Sequence, residues 1–155
     1  MTMELLDRMG FLEQPQSPLR PSVAPASDVL GRIGTLETRL ARTNTEIDAA
    51  QAVRYRVFFE EMRAKPTPDV ARRKRDVDAW DGICDHLLVL DTGIEGDAVD
   101  QIVGTYRILR QDVADRTGGF YSASEFGIEA LLARHPAKKF MELGRSCVLP
   151  DYRTK

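Results

Sequence analysis

The segment from Phe140 to Leu149, FMELGRSCVL, constrains this chain more than any other, because it reads as a buried strand that still carries Glu142 and Arg145. Charges persist in apolar strands only where they meet opposite charges or a ligand. Strict two-residue alternation sends the two to opposite faces. Gly144 between them is a natural bulge position that brings both to one side, and bulges recur beside active sites. Pro150 then opens a loop that runs to Lys155. A strand with internal charges usually lies in mid-sheet, with more chain to cover it. The 155 residues are therefore expected to be the front part of a longer chain.

Two more arginines pose the same problem. Thr45, with Asp48 three residues on, is a plausible cap for a helix from Glu46 to about Arg63. Ile47, Ala50, Val53, Val57, Phe58 and Met62 make its apolar stripe, and Arg54 falls on that face. Arg107 lies in Ile102 to Leu109, IVGTYRIL, on the face of Val103 and Leu109. The partners expected for these arginines are Asp76, Asp78 and Asp81, which surround Trp80 just before the strand Asp85 to Asp91. Those acids read as arginine partners that also present carboxylates to a cationic amine, or as an ordinary solvated loop. Neither a histidine pair nor a calcium-loop pattern accompanies them, so no metal site is expected.

The remaining elements follow from periodicity. Thr35 to Leu40 alternates as a first strand, residues 65–82 are a long charged loop, and Thr92 to Gln101 is a hairpin-like connection. Ser124 to Arg134 suits a short helix, ended by Pro136. The order strand, helix, loop, strand, strand, helix, strand specifies an α+β fold with a mostly antiparallel sheet. Residues 1–31 stand apart as a flexible extension, with four of the eight prolines; Leu5, Leu6, Met9 and Leu12 in it could line a short helix that touches a membrane or a partner.

Composition excludes several classes. At 43% hydrophobic and 30% charged the chain is ordinary for a soluble domain. A net charge of −2 gives no general attraction to nucleic acid. No apolar run reaches transmembrane length, and Glu4 and Asp7 interrupt the start before a signal-peptide core forms. Cys84 and Cys147 read as buried reduced thiols, with a disulfide or a catalytic cysteine as alternatives. His86 and His135 read as surface or structural.

Arg54-x-x-Val57-Phe58, Asp78-x-x-Asp81, Gly104-x-x-Arg107-Ile108-Leu109 and Glu142-x-x-Arg145 resemble, in order, the signature of the acyl-homoserine-lactone synthases, a branch of the GNAT acyltransferases. A second branch, the ornithine lipid N-acyltransferases, is the better match. Gly31-Arg32-Ile33-Gly34, Cys84-Asp85-His86-Leu87, and Leu143 to Val148 running into Pro150-x-Tyr152-Arg153 look like that branch, as does the proline-rich extension. The tryptophan that the lactone synthases carry soon after Val-Phe is absent.

The resemblance covers about residues 31–155 and implies a GNAT-like domain from residue 32 onward, apparently truncated after the fourth strand. It implies transfer of a 3-hydroxyacyl chain from acyl carrier protein to the α-amine of ornithine, in the cytoplasm or peripherally at the inner face of the membrane. The carrier is a substrate, and no cofactor is expected. By resemblance Glu142 is the general base, and Asp78 and Asp81 pair with Arg54 and Arg145 to help hold the acceptor. Arg107 grips its carboxylate. Ser146, Cys147 and Val148 bind the donor through backbone N–H groups, with Arg153 opening the donor loop. The acidic carrier would dock on Arg72–Arg75 or on Lys138 and Lys139. The alternatives are lactone synthesis from S-adenosylmethionine and a noncatalytic fragment.

Overall fold

The computed structural model describes residues 28–153. A five-stranded sheet runs through it in the order β1 (Val29–Ile33), β2 (Leu36–Leu40), β3 (Asp85–Asp91), β4 (Ile102–Arg110) and β5 (Met141–Val148), and every neighbouring pair is antiparallel. One strand more is present than the sequence pattern predicts. β1 pairs with β2 across Gly34, whose φ of 59° the turn requires. The strand is short and exposed along nearly all its length, so VLGRI carries no inside–outside alternation to announce it. The sheet thus takes in Val29, Leu30 and Gly31; residues 1–27 of the extension, with its apolar stripe, lie outside the described residues.

Helix α1 (Asn44–Tyr55) continues as a π-helical turn over Arg56–Glu61, so the helical stretch ends close to the expected place. Its cap is Thr43 and not Thr45: Thr43 Oγ1 accepts the Glu46 N–H at 3.2 Å. The reason lies in Glu46, whose carboxylate takes the Arg42 N–H at 2.7 Å and the buried Arg39 guanidinium of β2. Ala50, Val53 and Val57 pack on Leu88, Leu90, Ile102 and Cys147, while Met62, predicted for the stripe, is exposed. His86, Leu88, Leu90, Thr105 and Arg107 therefore share the covered face, and Leu87, Val89, Tyr106 and Ile108 on the other are partly buried.

The loop after α1 holds a short helix α2 (Pro68–Arg73) and a 3-10 turn at Ala79–Gly82. Between β4 and β5 lie α3 (Gln111–Thr117), which the sequence pattern does not predict, a 3-10 turn at Tyr121–Ser124, and α4 (Glu129–Arg134). Leu109, Ala114 and Phe120 form a second apolar cluster there, with Trp80, Cys84 and Phe140 packed against it.

Candidate active site

Beside β4, β5 carries one extra residue: Arg107 faces Gly144 and Thr105 faces Cys147. The bulge centres on Arg145, whose φ is 49°, and not on the glycine before it. A left-handed arginine is an uncommon and strained conformation, of the kind that gathers at functional sites. The consequence is the expected one. Glu142 faces Leu109, Gly144 faces Arg107, and both Glu142 and Arg145 line the same cleft.

The Asp78-x-x-Asp81 motif folds as a reciprocal cap on the 3-10 turn. Asp78 Oδ1 accepts the Trp80 N–H at 2.9 Å, and Asp81 Oδ2 accepts the Asp78 N–H at 3.0 Å. His86, buried at the start of β3, donates from Nε2 to the Asp81 carbonyl at 3.1 Å and ties the turn to the sheet. Burial, outweighing the Asp81 contacts, holds this imidazole below its ordinary value.

Three aspartates and three arginines then close into one network. Arg54, fully buried, donates from Nε to Asp76 at 2.9 Å, from Nη1 and Nη2 to Asp81 at 2.8 and 2.9 Å, and from Nη2 to the Asp76 carbonyl. Arg107 donates to Asp78, and to Asp81 at 3.3 Å. Arg145 reaches Asp76 at 3.3 Å and Asp78 at 3.1 Å. The expected pairs are present, Asp81 with Arg54 and Asp78 with Arg145, and Arg107 joins them by meeting both aspartates. Burial alone would raise the Asp81 carboxyl, but the Arg54 hydrogen bonds and charge, the Asp78 amide and Arg107 outweigh it and hold it below its ordinary range. Six formal charges cancel within the cluster, which lets them leave water together.

The network forms one wall of a cleft of about 220 Å3 lined by Trp80, Cys84, Arg107, Tyr121, Glu142 and Arg145, among others. Glu142 is fixed from behind: its two oxygens accept the backbone N–H groups of Tyr121 and Ser122 at 2.8 and 2.9 Å. Each oxygen keeps a further lone-pair direction. Arg145 keeps 42% of its side chain exposed and is the more accessible of the two arginines. Sequence reasoning passed over Trp80 and Tyr121 as cleft residues. Trp80 was legible as the ring inside the aspartate motif; Tyr121 carries no local signal, since only the loop's return to Glu142 brings it in. Cys84 also lines the cleft, and burial pushes its thiol up to about 11. Both cysteines are free thiols.

The residues expected to bind a donor lie along β5 and just after it. Leu149 N–H bonds Val103 across the sheet, so alternation turns the Val148 N–H and C=O outward. Ser146 is exposed on the bulge, whereas the Cys147 side chain is buried in the core and its backbone faces Thr105 of β4. Arg153 folds back, donating to the Val148 carbonyl at 3.0 and 2.9 Å and to both oxygens of Glu61 at 2.6 and 2.8 Å. Of the two basic stretches, Arg72 and Arg73 pair with Asp69 and Arg75 with Asp48, which compensates that run. Lys138 and Lys139 are exposed just before β5. Among the described residues no cluster of acids, cysteines and histidines is arranged to hold a metal, and no helix is long and apolar enough to cross a membrane.

This geometry can be set beside known proteins. Residues 53–155 match the acetyltransferase (GNAT) domain family. A protein of Rhizobium meliloti (strain 1021) named L-ornithine N(alpha)-acyltransferase is 73% identical over 156 residues, covering 100% of this chain and 53% of its own length. A protein of that name from Agrobacterium fabrum is 67% identical over 139 residues, 90% of this chain and 47% of its own; one from Brucella abortus is 51% identical over 127 residues, 82% and 45%. The chain spans about half the length of the curated relatives it matches. No solved structure matches. The family match takes in the π-helical turn, the aspartate motif and the bulged β5 that build the cleft, and the chain belongs to the GNAT acyltransferases.

Proposed function

We propose that this chain forms the acceptor side of an N-acyltransferase that moves a 3-hydroxyacyl group from acyl carrier protein to the α-amine of ornithine, the first step of ornithine lipid synthesis. The observation that carries the reading is one cleft holding a backbone-anchored carboxylate, Glu142, opposite two guanidinium groups, Arg107 and Arg145. An amino-acid acceptor presents the complementary set, a carboxylate beside an amine. The names of the relatives from three organisms support ornithine as that acceptor.

In the reaction the α-amine nitrogen attacks the thioester carbonyl, the C–N bond forms and the C–S bond breaks. Only a deprotonated amine can attack, and Glu142 takes that proton, directly or through water. The departing carrier thiolate is protonated in turn. Arg145, with Arg107 behind it, holds the acceptor carboxylate; Asp78 and Asp81 keep both guanidinium groups in place. Arg54 acts from behind, through Asp76 and Asp81. The outward Val148 N–H, with Ser146 and Cys147 beside it in β5, meets the donor arm, and Arg153 orders that edge by bonding the Val148 carbonyl. Lys138 and Lys139 suit an acidic carrier better than Arg72–Arg75 does, because Asp69 and Asp48 compensate the latter. No cofactor takes part, and the enzyme works in the cytoplasm, peripherally at the inner face of the membrane.

The test is incubation of the full-length gene product with 3-hydroxyacyl carrier protein and either ornithine or S-adenosylmethionine, followed by mass spectrometry. N-acylornithine is expected, and Glu142→Gln is expected to lower kcat by about 10²–10⁴-fold. A lactone product, or none with either acceptor, overturns the reading; an unchanged kcat in Glu142→Gln removes the base assignment alone.

A further inference from the structure

We propose that Trp80 and Tyr121 form an aromatic corner that recognises a second, side-chain ammonium on the acceptor, and so restrict it to diamino acids. The inference rests on the acceptor reading above and adds the residues that read the far end of the molecule.

The argument starts from a count of charges. An acceptor of the ornithine type brings two cations, the α-amine and the side-chain ammonium, and one carboxylate. Among the described residues lining the cleft, Glu142 is the one acidic side chain, and the α-amine requires it. The nearby acids are committed elsewhere. Asp76, Asp78 and Asp81 each face two arginines, and Asp85 pairs with Arg110. The second cation therefore has no carboxylate of its own in the cleft.

What the cleft does offer is aromatic surface. The Trp80 and Tyr121 rings lie 5.6 Å apart at 81°, an edge-to-face pair, and both line the cavity. Aromatic faces attract ammonium groups within about 6 Å of the ring centroid, tryptophan most strongly. The corner is also built to stay in place. Asp78 accepts the Trp80 N–H at 2.9 Å and Glu142 accepts the Tyr121 N–H at 2.8 Å, so the two carboxylates that organise the site also position the two rings. Tyr121 is half exposed, at the mouth of the cleft, where a flexible side chain carrying an ammonium can reach it.

Calorimetric binding to the full-length gene product tests this with ornithine, lysine and norvaline, the last matching ornithine in carbon count but lacking the side-chain amine. Ornithine is expected to bind about five- to thirty-fold more tightly than norvaline, the range of a cation against an aromatic face. Tyr121→Phe keeps that ratio, Trp80→Phe narrows it, and Tyr121→Leu lowers it about five-fold or more. The Glu142 hydrogen bond survives in the Tyr121 variants because it comes from the backbone. Equal binding of norvaline and ornithine, no binding of either, or an unchanged ratio in Tyr121→Leu overturns the aromatic corner. Tight, discriminating binding of ornithine without its acylation leaves the corner standing and overturns the reaction instead.

Discussion

Arg54→Met removes the guanidinium that joins Asp76 to Asp81 while keeping an unbranched apolar stem in the same place. Four hydrogen bonds go with it: two to Asp81 at 2.8 and 2.9 Å, one to the Asp76 carboxylate at 2.9 Å, and one to the Asp76 carbonyl. Some compensation remains. Asp76 keeps Arg145 at 3.3 Å, and Asp81 keeps Arg107 at 3.3 Å and the Asp78 N–H at 3.0 Å. Removing one partner of a buried pair costs about 3–5 kcal/mol, and the residual contacts put this site near 3 kcal/mol. With a urea slope of about 1–3 kcal/mol/M, the unfolding midpoint falls by about 1 M or more at pH 7.

The pH dependence supplies a second check on the same variant. Asp81 has a lowered folded value, so its stabilisation is complete above the unfolded aspartate value of about 3.9 and is lost as pH falls through the lower folded value. Arg54→Met abolishes most of that depression. The gap between the two proteins is therefore widest at neutral pH and begins to narrow below about pH 4. Urea titrations at pH 7 and at pH 3.5 read both effects. A midpoint change below about 0.3 M at pH 7, or a gap that does not narrow in acid, refutes the reasoning.

Three further outcomes are expected. Thr43→Ala costs about 1 kcal/mol in urea unfolding through loss of the Glu46 cap, whereas Thr45→Ala stays within about 0.5 kcal/mol; equal effects would return the cap to Thr45. Arg145→Ala, at a partly exposed side chain, changes stability by no more than about 1 kcal/mol but raises the KM for the amino-acid acceptor about tenfold or more, and an unchanged KM would remove it from the acceptor site. His86, neutral and buried, takes up its proton less readily folded than unfolded, so stability is complete above an unfolded value of about 6.5 and declines as pH drops from there; His86→Gln flattens that decline just below about pH 6.5.

The charged core of the site was legible because each member breaks a local rule. Arg54 on an apolar helical stripe, Arg107 in an apolar strand, and Glu142 with Arg145 around a glycine all signal partners that are near in space and distant in sequence. Which aspartate meets which arginine was not legible, since the cap at Asp78 and Asp81 decides how many oxygens each has left. Arg39 shows a different limit. In β2 it is the Leu40 side that is exposed and Arg39 that is buried, because Glu46 of α1 waits on that face. Alternation announces a strand, but here the charge pair and not the leucines selects the inner face. The short α3 escaped notice because Ala114 is its one buried residue, with Val113 only partly buried against the same cluster.

A neutral cluster of three aspartates and three arginines is a poor device for stability alone, since apolar side chains of similar volume often do as well or better. Its placement explains its presence. Arg54 sits at the fully buried end, Arg107 in the middle with its side chain on the cleft, and Arg145 at the exposed end, and the aspartates link each arginine to the next. The innermost arginine thereby fixes the aspartates, and the aspartates fix the two that a ligand can meet. Preorganisation of this kind lowers the reorganisation needed when a charged acceptor arrives, which is where electrostatic catalysis gains most. It follows that Arg54→Lys, which keeps the charge but loses the fork, harms acyl transfer more than folding. The two effects separate in one preparation, by urea midpoint and by kcat/KM. Parallel losses in both would mean that the cluster serves the fold and not the cleft.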